Sequence, residues 1–108
     1  MGIAVPRIEL LYFDGCPNHQ DAHALLMEVL REENIQTPII RRKVETPESA
    51  AREHFLGSPS IRANGTDIDP SGDTRQYSLR CRVYQHNGKL SGVPDKEMIR
   101  NALKQFMT

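Results

Sequence analysis

The sequence predicts one α/β domain spanning residues 1–108, with a mixed central sheet flanked by helices in the order β-α-β-α-β-β-(β)-α. Three observations carry that expectation. A strand, helix, strand unit opens the chain between residues 7 and 44. Two Asn-Gly pairs, Asn64-Gly65 and Asn87-Gly88, have the composition of two-residue hairpin turns. An amphipathic segment after Pro94 supplies a closing helix.

Each element follows from local pattern. Arg7-Ile8-Glu9-Leu10-Leu11-Tyr12-Phe13 is a short apolar run halted by Asp14-Gly15, which suits a largely buried strand. Pro17 and Asn18 open a segment with Ala22, Leu25, Leu26, Val29 and Leu30 at helical spacing, while Glu28, Arg31, Glu32 and Glu33 take the other face. Residues 35–44 read as a second strand centred on Ile39 and Ile40. The intervening helix favours a parallel pairing through a right-handed crossover. Thr46-Pro47-Glu48 has the order of a helix start: N-cap hydroxyl, first-turn proline, then an acid. That helix is expected to run through Ala50, Ala51 and Phe55 to Leu56 and to stop at Gly57.

Ser60-Ile61-Arg62-Ala63 and Thr66-Asp67-Ile68 flank the first Asn-Gly turn as short strands. Asp69 to Gln76 is a polar loop carrying Pro70 and Gly72, and Leu79 to Gln85 alternates like a further strand. Residues 70–92 together read as an inserted loop and hairpin, and either Asn-Gly turn can belong to the central sheet. Pro94-Asp95 start the last helix, with Met98, Ile99, Ala102, Leu103 and Phe106 on one face.

Composition narrows the function classes. A chain of 108 residues buries enough surface for one modest core without disulfide staples. Its 14 Lys+Arg balance 14 Asp+Glu, which argues against a general nucleic-acid partner. No apolar stretch approaches the roughly 20 residues of a membrane helix. Met1 to Pro6 lack the basic region and apolar run of a secretory leader. A cytoplasmic location without membrane partners is therefore expected. The basic run Arg41-Arg42-Lys43 reads as the charged edge of a sheet. Two cysteines are too few for a disulfide scaffold, so Cys16 and Cys81 each need a separate explanation.

Cys16 falls where a strand delivers the chain to a helix N-terminus, with Pro17 following. Free backbone N–H groups and the helix dipole stabilise a thiolate there. This makes Cys16 the expected reactive thiol, against the alternative of a buried structural cysteine. His19 lies three residues on and has three open roles: base or hydrogen-bond partner to Cys16, metal ligand, or solvated first-turn residue. With His23 it completes a Cys-x2-His-x3-His array of metal-ligand character.

Phe13-Asp14-Gly15-Cys16-Pro17-Asn18-His19 resembles the active-site turn of thioredoxin-fold proteins, glutaredoxins among them, in the form Cys-Pro-x-Cys. A second block, Gly57-Ser58-Pro59-Ser60-Ile61-Arg62-Ala63-Asn64-Gly65, resembles the segment in which that family places a cis-proline opposite the active-site cysteine. The resemblance implies a thioredoxin-like βαβ-α-ββ-α fold and thiol–disulfide exchange at Cys16, with Pro59 shaping the partner groove. The departure is His19, which stands where the second cysteine of a dithiol motif belongs. Exchange then passes through a mixed disulfide at Cys16, resolved by an external thiol such as glutathione or by Cys81. No cofactor is required for that chemistry, and the partner is a thiol or disulfide, small molecule or protein.

Cys81 has two open readings. In an alternating strand it shares a face with Leu79 and Val83 and packs as a small hydrophobe. In the other reading the insertion emerges beside Cys16, and the two thiols form a resolving pair or a soft-metal clamp. Ser78-Leu79-Arg80-Cys81-Arg82-Val83-Tyr84, with the Gly57-Ser58-Pro59 and Gly92-Val93-Pro94 blocks, also resembles small alkylmercury-lyase-related thioredoxin-like proteins. That resemblance implies capture of Hg, Cu or Zn by Cys16 with Cys81 or His19, with Asp14 or Asp69 as the acid needed for carbon–mercury cleavage. A third class is a non-catalytic thioredoxin-like module that binds another protein through its groove or sheet edge. Arg80 and Arg82 flank Cys81 and are expected on a solvated strand face, with support of the Cys81 thiolate as the alternative.

Overall fold

The chain runs β1 (Ile8–Tyr12), α1 (His19–Glu32), β2 (Ile39–Lys43), α2 (Pro47–Arg52), β3 (Ser60–Ala63), β4 (Thr66–Asp67), β5 (Tyr84–His86), β6 (Lys89–Ser91) and α3 (Lys96–Lys104). The structure is a computed structural model that describes residues 5–70 and 75–106. The leader reading of residues 1–4 and the middle of the polar loop, 71–74, lie outside the described residues.

Four strands form a mixed sheet in the order β2-β1-β3-β4. β1 pairs parallel with β2 and antiparallel with β3, and β3 turns through Asn64-Gly65 into β4. The Asn87-Gly88 turn instead joins β5 and β6 in a separate two-stranded hairpin. The first Asn-Gly turn is thus the one in the larger sheet. β2 lies at the edge, as its basic run predicts.

β1 is covered on both faces. Ile8 and Leu10 join Ile61 and Ala63 of β3 beneath α1 and α3, where Ala22, Leu26, Val29, Ile99 and Leu103 complete the larger cluster. Leu11 points the other way, to Val44, Ala50 and Phe55. Glu9 shares this second face and is only 7% exposed. A buried carboxylate needs partners; it faces Arg42 at 3.0 Å and Arg7 at 3.6 Å.

Two helix ends differ from the sequence pattern for one reason. α2 was expected to reach Leu56 and to stop at Gly57, yet its last helical residue is Arg52. His54 adopts φ 53°, and the Phe55 N–H reaches back to the Ala50 carbonyl at 2.9 Å while that of His54 reaches Ala51 at 3.2 Å. This is a Schellman closure with a non-glycine residue in the left-handed position. Phe55, fully buried, is the apolar residue that it drops into the core. α1 ends the same way, with Asn34 at φ 56° and the buried Ile35 bonded back to Leu30 at 2.8 Å. Burial of Phe55 outweighs the cost of a positive φ at His54, and Ile35 is withdrawn from the strand predicted for 35–44.

Other starts follow pattern. The Thr46 side chain caps Ser49 N at 3.0 Å, and the Asp95 carboxylate caps Glu97 N at 2.8 Å. α1 begins at His19 rather than at Pro17, because Asp14-Gly15 closes a turn in which Cys16 N bonds Phe13 O at 3.2 Å. Among the described residues no helix is long and apolar enough to cross a membrane. Ile61→Ala, in the fully buried middle of β3, should lower unfolding free energy by about 2–5 kcal/mol in urea titrations. A loss below about 1 kcal/mol would mean that β3 is not a core strand.

Candidate functional site

The site is built on the loop between α2 and β3. Gly57 has φ 117°, and a Cβ there would lie 3.0 Å from the Arg82 Cβ and 3.2 Å from the Arg80 carbonyl. A glycine is needed because residues 80–82 run directly against it. Ser58 pairs with that segment through both backbone groups: its N–H donates to Arg80 O at 2.7 Å, and its carbonyl accepts from Arg82 N at 2.9 Å. Cys81 forms an isolated parallel bridge with Ser58. The next peptide, Ser58–Pro59, is cis.

The same loop receives Cys16. Its thiol donates to the Ser58 carbonyl at 3.4 Å, and the residue is fully buried. Cys81 is exposed, and both cysteines are free. The pKa of the Cys81 thiol is pushed above its ordinary value, first by a hydrogen bond with Cys16, then by burial and by the negative charge of Cys16. The two cysteines therefore meet at Ser58, Cys16 through its thiol on the carbonyl and Cys81 through the backbone bridge. The outer sulfur is Cys81, whereas sequence reasoning assigned reactivity to Cys16 on its place before a helix.

The strand expected at 79–85 is shorter, and its phase is reversed. Its regular part is Tyr84–His86, and Cys81 and Val83 face outward while Arg82 and Tyr84 are buried. Arg82 is 5% exposed, which corrects its assignment to a solvated face. Its guanidinium grips Asp67 through two nitrogens at 2.7 and 2.9 Å and donates to Ser60 Oγ at 3.2 Å and the Asp69 carbonyl at 2.8 Å. It also lies 4.4 Å from the centre of the Tyr84 ring. Burial disfavours its charge, but the Asp67 hydrogen bond and the charges of Tyr84, Asp67 and Asp69 outweigh that and raise its pKa. The Tyr84 hydroxyl donates to Pro59 O at 2.5 Å.

Magnitudes show what holds residues 80–82 in place. Ordering three residues costs about 3–6 kcal/mol of backbone entropy. Two backbone hydrogen bonds return only about 1–3 kcal/mol net. Arg80, Cys81 and Val83 are exposed, so Arg82 is the side chain of this stretch that anchors it.

The histidines are engaged elsewhere. His19 Nδ1 accepts from Arg41 at 2.9 Å, and its ring stacks on Tyr12 with centroids 4.4 Å apart. His23 is half-buried, and burial followed by the Arg41 charge lowers its pKa. Asp14 is exposed and paired with Lys43. Among the described residues, the His, Cys, Asp and Glu ligand atoms found within 4.8 Å of one another in a group of three belong to His86, Asp95 and Glu97. The Cys16, His19 and His23 array is not brought together in that way, and neither is a carboxylate with both sulfurs.

One polar atom of the loop stands out: Ser58 Oγ is buried and has no hydrogen-bond partner among the described residues. The buried roles of Arg82 and of the Ser58 hydroxyl were missed in the sequence, although Asp67 just after an Asn-Gly turn and an Arg-x-Tyr pair were there to suggest a buried ion pair.

Burial raises the Tyr84 pKa strongly. The unfolded chain, with an ordinary tyrosine near about 10, then loses this proton first as pH rises. The Tyr84 contribution to stability should be constant through neutral pH and be lost above about 10. Tyr84→Phe should remove that component of the fall while costing about 1–3 kcal/mol at pH 7, because Pro59 O loses its donor. Denaturant titrations at pH 7 and above 10 check both parts. No protein-family model matches the chain, and no curated protein or solved structure matches it.

Proposed function

We propose that this chain is a thioredoxin-like protein that performs thiol–disulfide exchange, with Cys16 and Cys81 as its working pair. The observation that carries the reading is the meeting of the two cysteines, one exposed and one buried, on Ser58 of the Pro59 loop. The sheet order β2-β1-β3-β4 and the cis peptide before Pro59 support the thioredoxin-like assignment.

Exposure divides the roles. A partner disulfide R–S–S–R meets the Cys81 sulfur, which attacks as a thiolate, forms Cys81–S–S–R and releases RS⁻. Cys16, next to it, then attacks the Cys81 sulfur, closes a Cys16–Cys81 disulfide and releases the second RS⁻. The dithiol gives up two electrons and two protons; two equivalents of an external thiol such as glutathione return them. No cofactor takes part, and the reducing cytoplasm suits the return step. Cys81 holds its proton more firmly than an ordinary cysteine, so attack should accelerate as pH rises.

Mass spectrometry of reduced protein mixed with oxidised glutathione tests the scheme. The parent chain should end as an internal disulfide without adduct, Cys16→Ser should trap glutathione on Cys81, and Cys81→Ser should react slowly because Cys16 is covered. Fast adduct formation at Cys16 in Cys81→Ser would return the attacking role to Cys16. Failure to form any internal disulfide would refute the exchange pair. If that failure comes with uptake of one Hg(II) per chain that needs both thiols, the soft-metal clamp is the better reading.

A further inference from the structure

The two thiols are brought together from distant parts of the chain, and the contacts that do so are unequal. Cys16 is fixed by the turn after β1 and by its bond to Ser58 O. Cys81 has no such anchorage of its own, being exposed between two residues that bond Ser58. Of residues 79–83, Arg82 alone is buried. Its partners come from three places: Asp67 on β4, the Asp69 carbonyl just after it, and Ser60 at the start of β3. Ser60 Oγ itself donates to Gly57 O at 2.6 Å, which links the guanidinium to the loop that Cys81 must face. A planar, doubly bonded guanidinium fixes both position and rotation of the backbone that carries it.

We infer that Arg82 is a positioning residue for the thiol pair: its buried pair with Asp67 sets the register of residues 80–82 on Ser58 and so holds Cys81 beside Cys16 at that residue. This rests on the exchange reading for its purpose, though not for its geometry. A shift of one residue along Ser58 would turn Cys81 inward and Arg82 outward, so the register and the ion pair stand or fall together. Arg82 touches neither sulfur's partner nor the transferred electrons; it acts through the backbone of Cys81.

The test compares Arg82→Lys, Arg82→Met and Arg82→Met with Asp67→Leu, the last avoiding a lone buried carboxylate. Folding is checked by circular dichroism. The readout is the rate of iodoacetamide labelling at Cys81 against pH, with Cys16→Ser as the reference for a Cys81 without its neighbour. Around Cys81 the groups that bear on the profile are Cys16 beneath it and Arg80 beside it, with Asp67, Asp69 and Tyr84 enclosing Arg82. In folded Arg82→Met/Asp67→Leu the profile should move down in pH to coincide with the Cys16→Ser reference, and labelling at neutral pH should rise severalfold. Arg82→Lys, with a single point charge, should fall between. A folded double variant that keeps the parent profile would overturn the inference, leaving Arg82 a purely structural residue. The exchange reading is judged separately: if the parent chain forms no internal disulfide while the Arg82 variants still shift the profile, the positioning stands and the exchange chemistry falls.

Discussion

A guanidinium removed from water must be matched by charge and hydrogen bonds, and the region around the two thiols is arranged to meet that demand at Arg82. Removing one member of such a pair typically costs about 3–5 kcal/mol, since the other charge stays buried. Asp67 answers with both carboxylate oxygens, and Ser60 and the Asp69 backbone take further donors. Because Asp67 sits on β4, the short strand pair made by Asn64-Gly65 has a purpose beyond closing the sheet. It delivers the counter-charge to the insertion. Gly57 gives the space in which the approaching backbone fits, and Tyr84 seals the assembly by bonding Pro59. Buried in this way, Arg82 dictates that the residues on either side of it face solvent.

That outward facing is what gives the thiols their unequal standing. A helix-proximal cysteine is commonly favoured for reactivity because the helix end favours a thiolate. Here the helix starts three residues beyond Cys16, and the sulfur spends its hydrogen bond on a carbonyl. The histidine that could have assisted is held by Arg41 and Tyr12 on the β2 side. Accessibility belongs to the outer thiol, which also holds its proton more firmly than an ordinary cysteine. Such a division suits a pair that changes state when an external sulfur arrives and stays quiet otherwise.

Most elements were legible because their signals are local. Thr46 and Asp95 cap the helices they precede, and the Asn-Gly pairs make the turns that their composition demands. What escaped was set by partners far away in sequence. Alternation along 79–84 gives a period of two, and hydrophobicity alone chooses the wrong phase, with Leu79, Cys81 and Val83 inside and Arg82 outside. The phase is chosen by Asp67 and Pro59. The end of α2 escaped for a similar reason: Gly57 is the residue that composition offers as a stop, but the position of Phe55 in the core demands an earlier one at His54. Gly57 is instead reserved for contact with Arg82. Of the candidate site, Cys16 and the Pro59 loop could be picked out in sequence, whereas the presence of Cys81 beside them could be posed only as an alternative.

The saturated backbone of Ser58 has a consequence for any visiting chain. Extended guests commonly gain affinity by adding a strand to a vacant edge, using main-chain groups that care little about side-chain identity. At Ser58 that vacancy is already filled from within the same molecule, at both the N–H and the carbonyl. A guest polypeptide wins those groups only by peeling residues 80–82 away, and in doing so it would part the sulfurs and strip the counter-ion from Asp67. Small sulfur compounds face no such competition, because the outer thiol meets them without any rearrangement. The molecule therefore behaves as its own tenant, and eviction carries an electrostatic penalty.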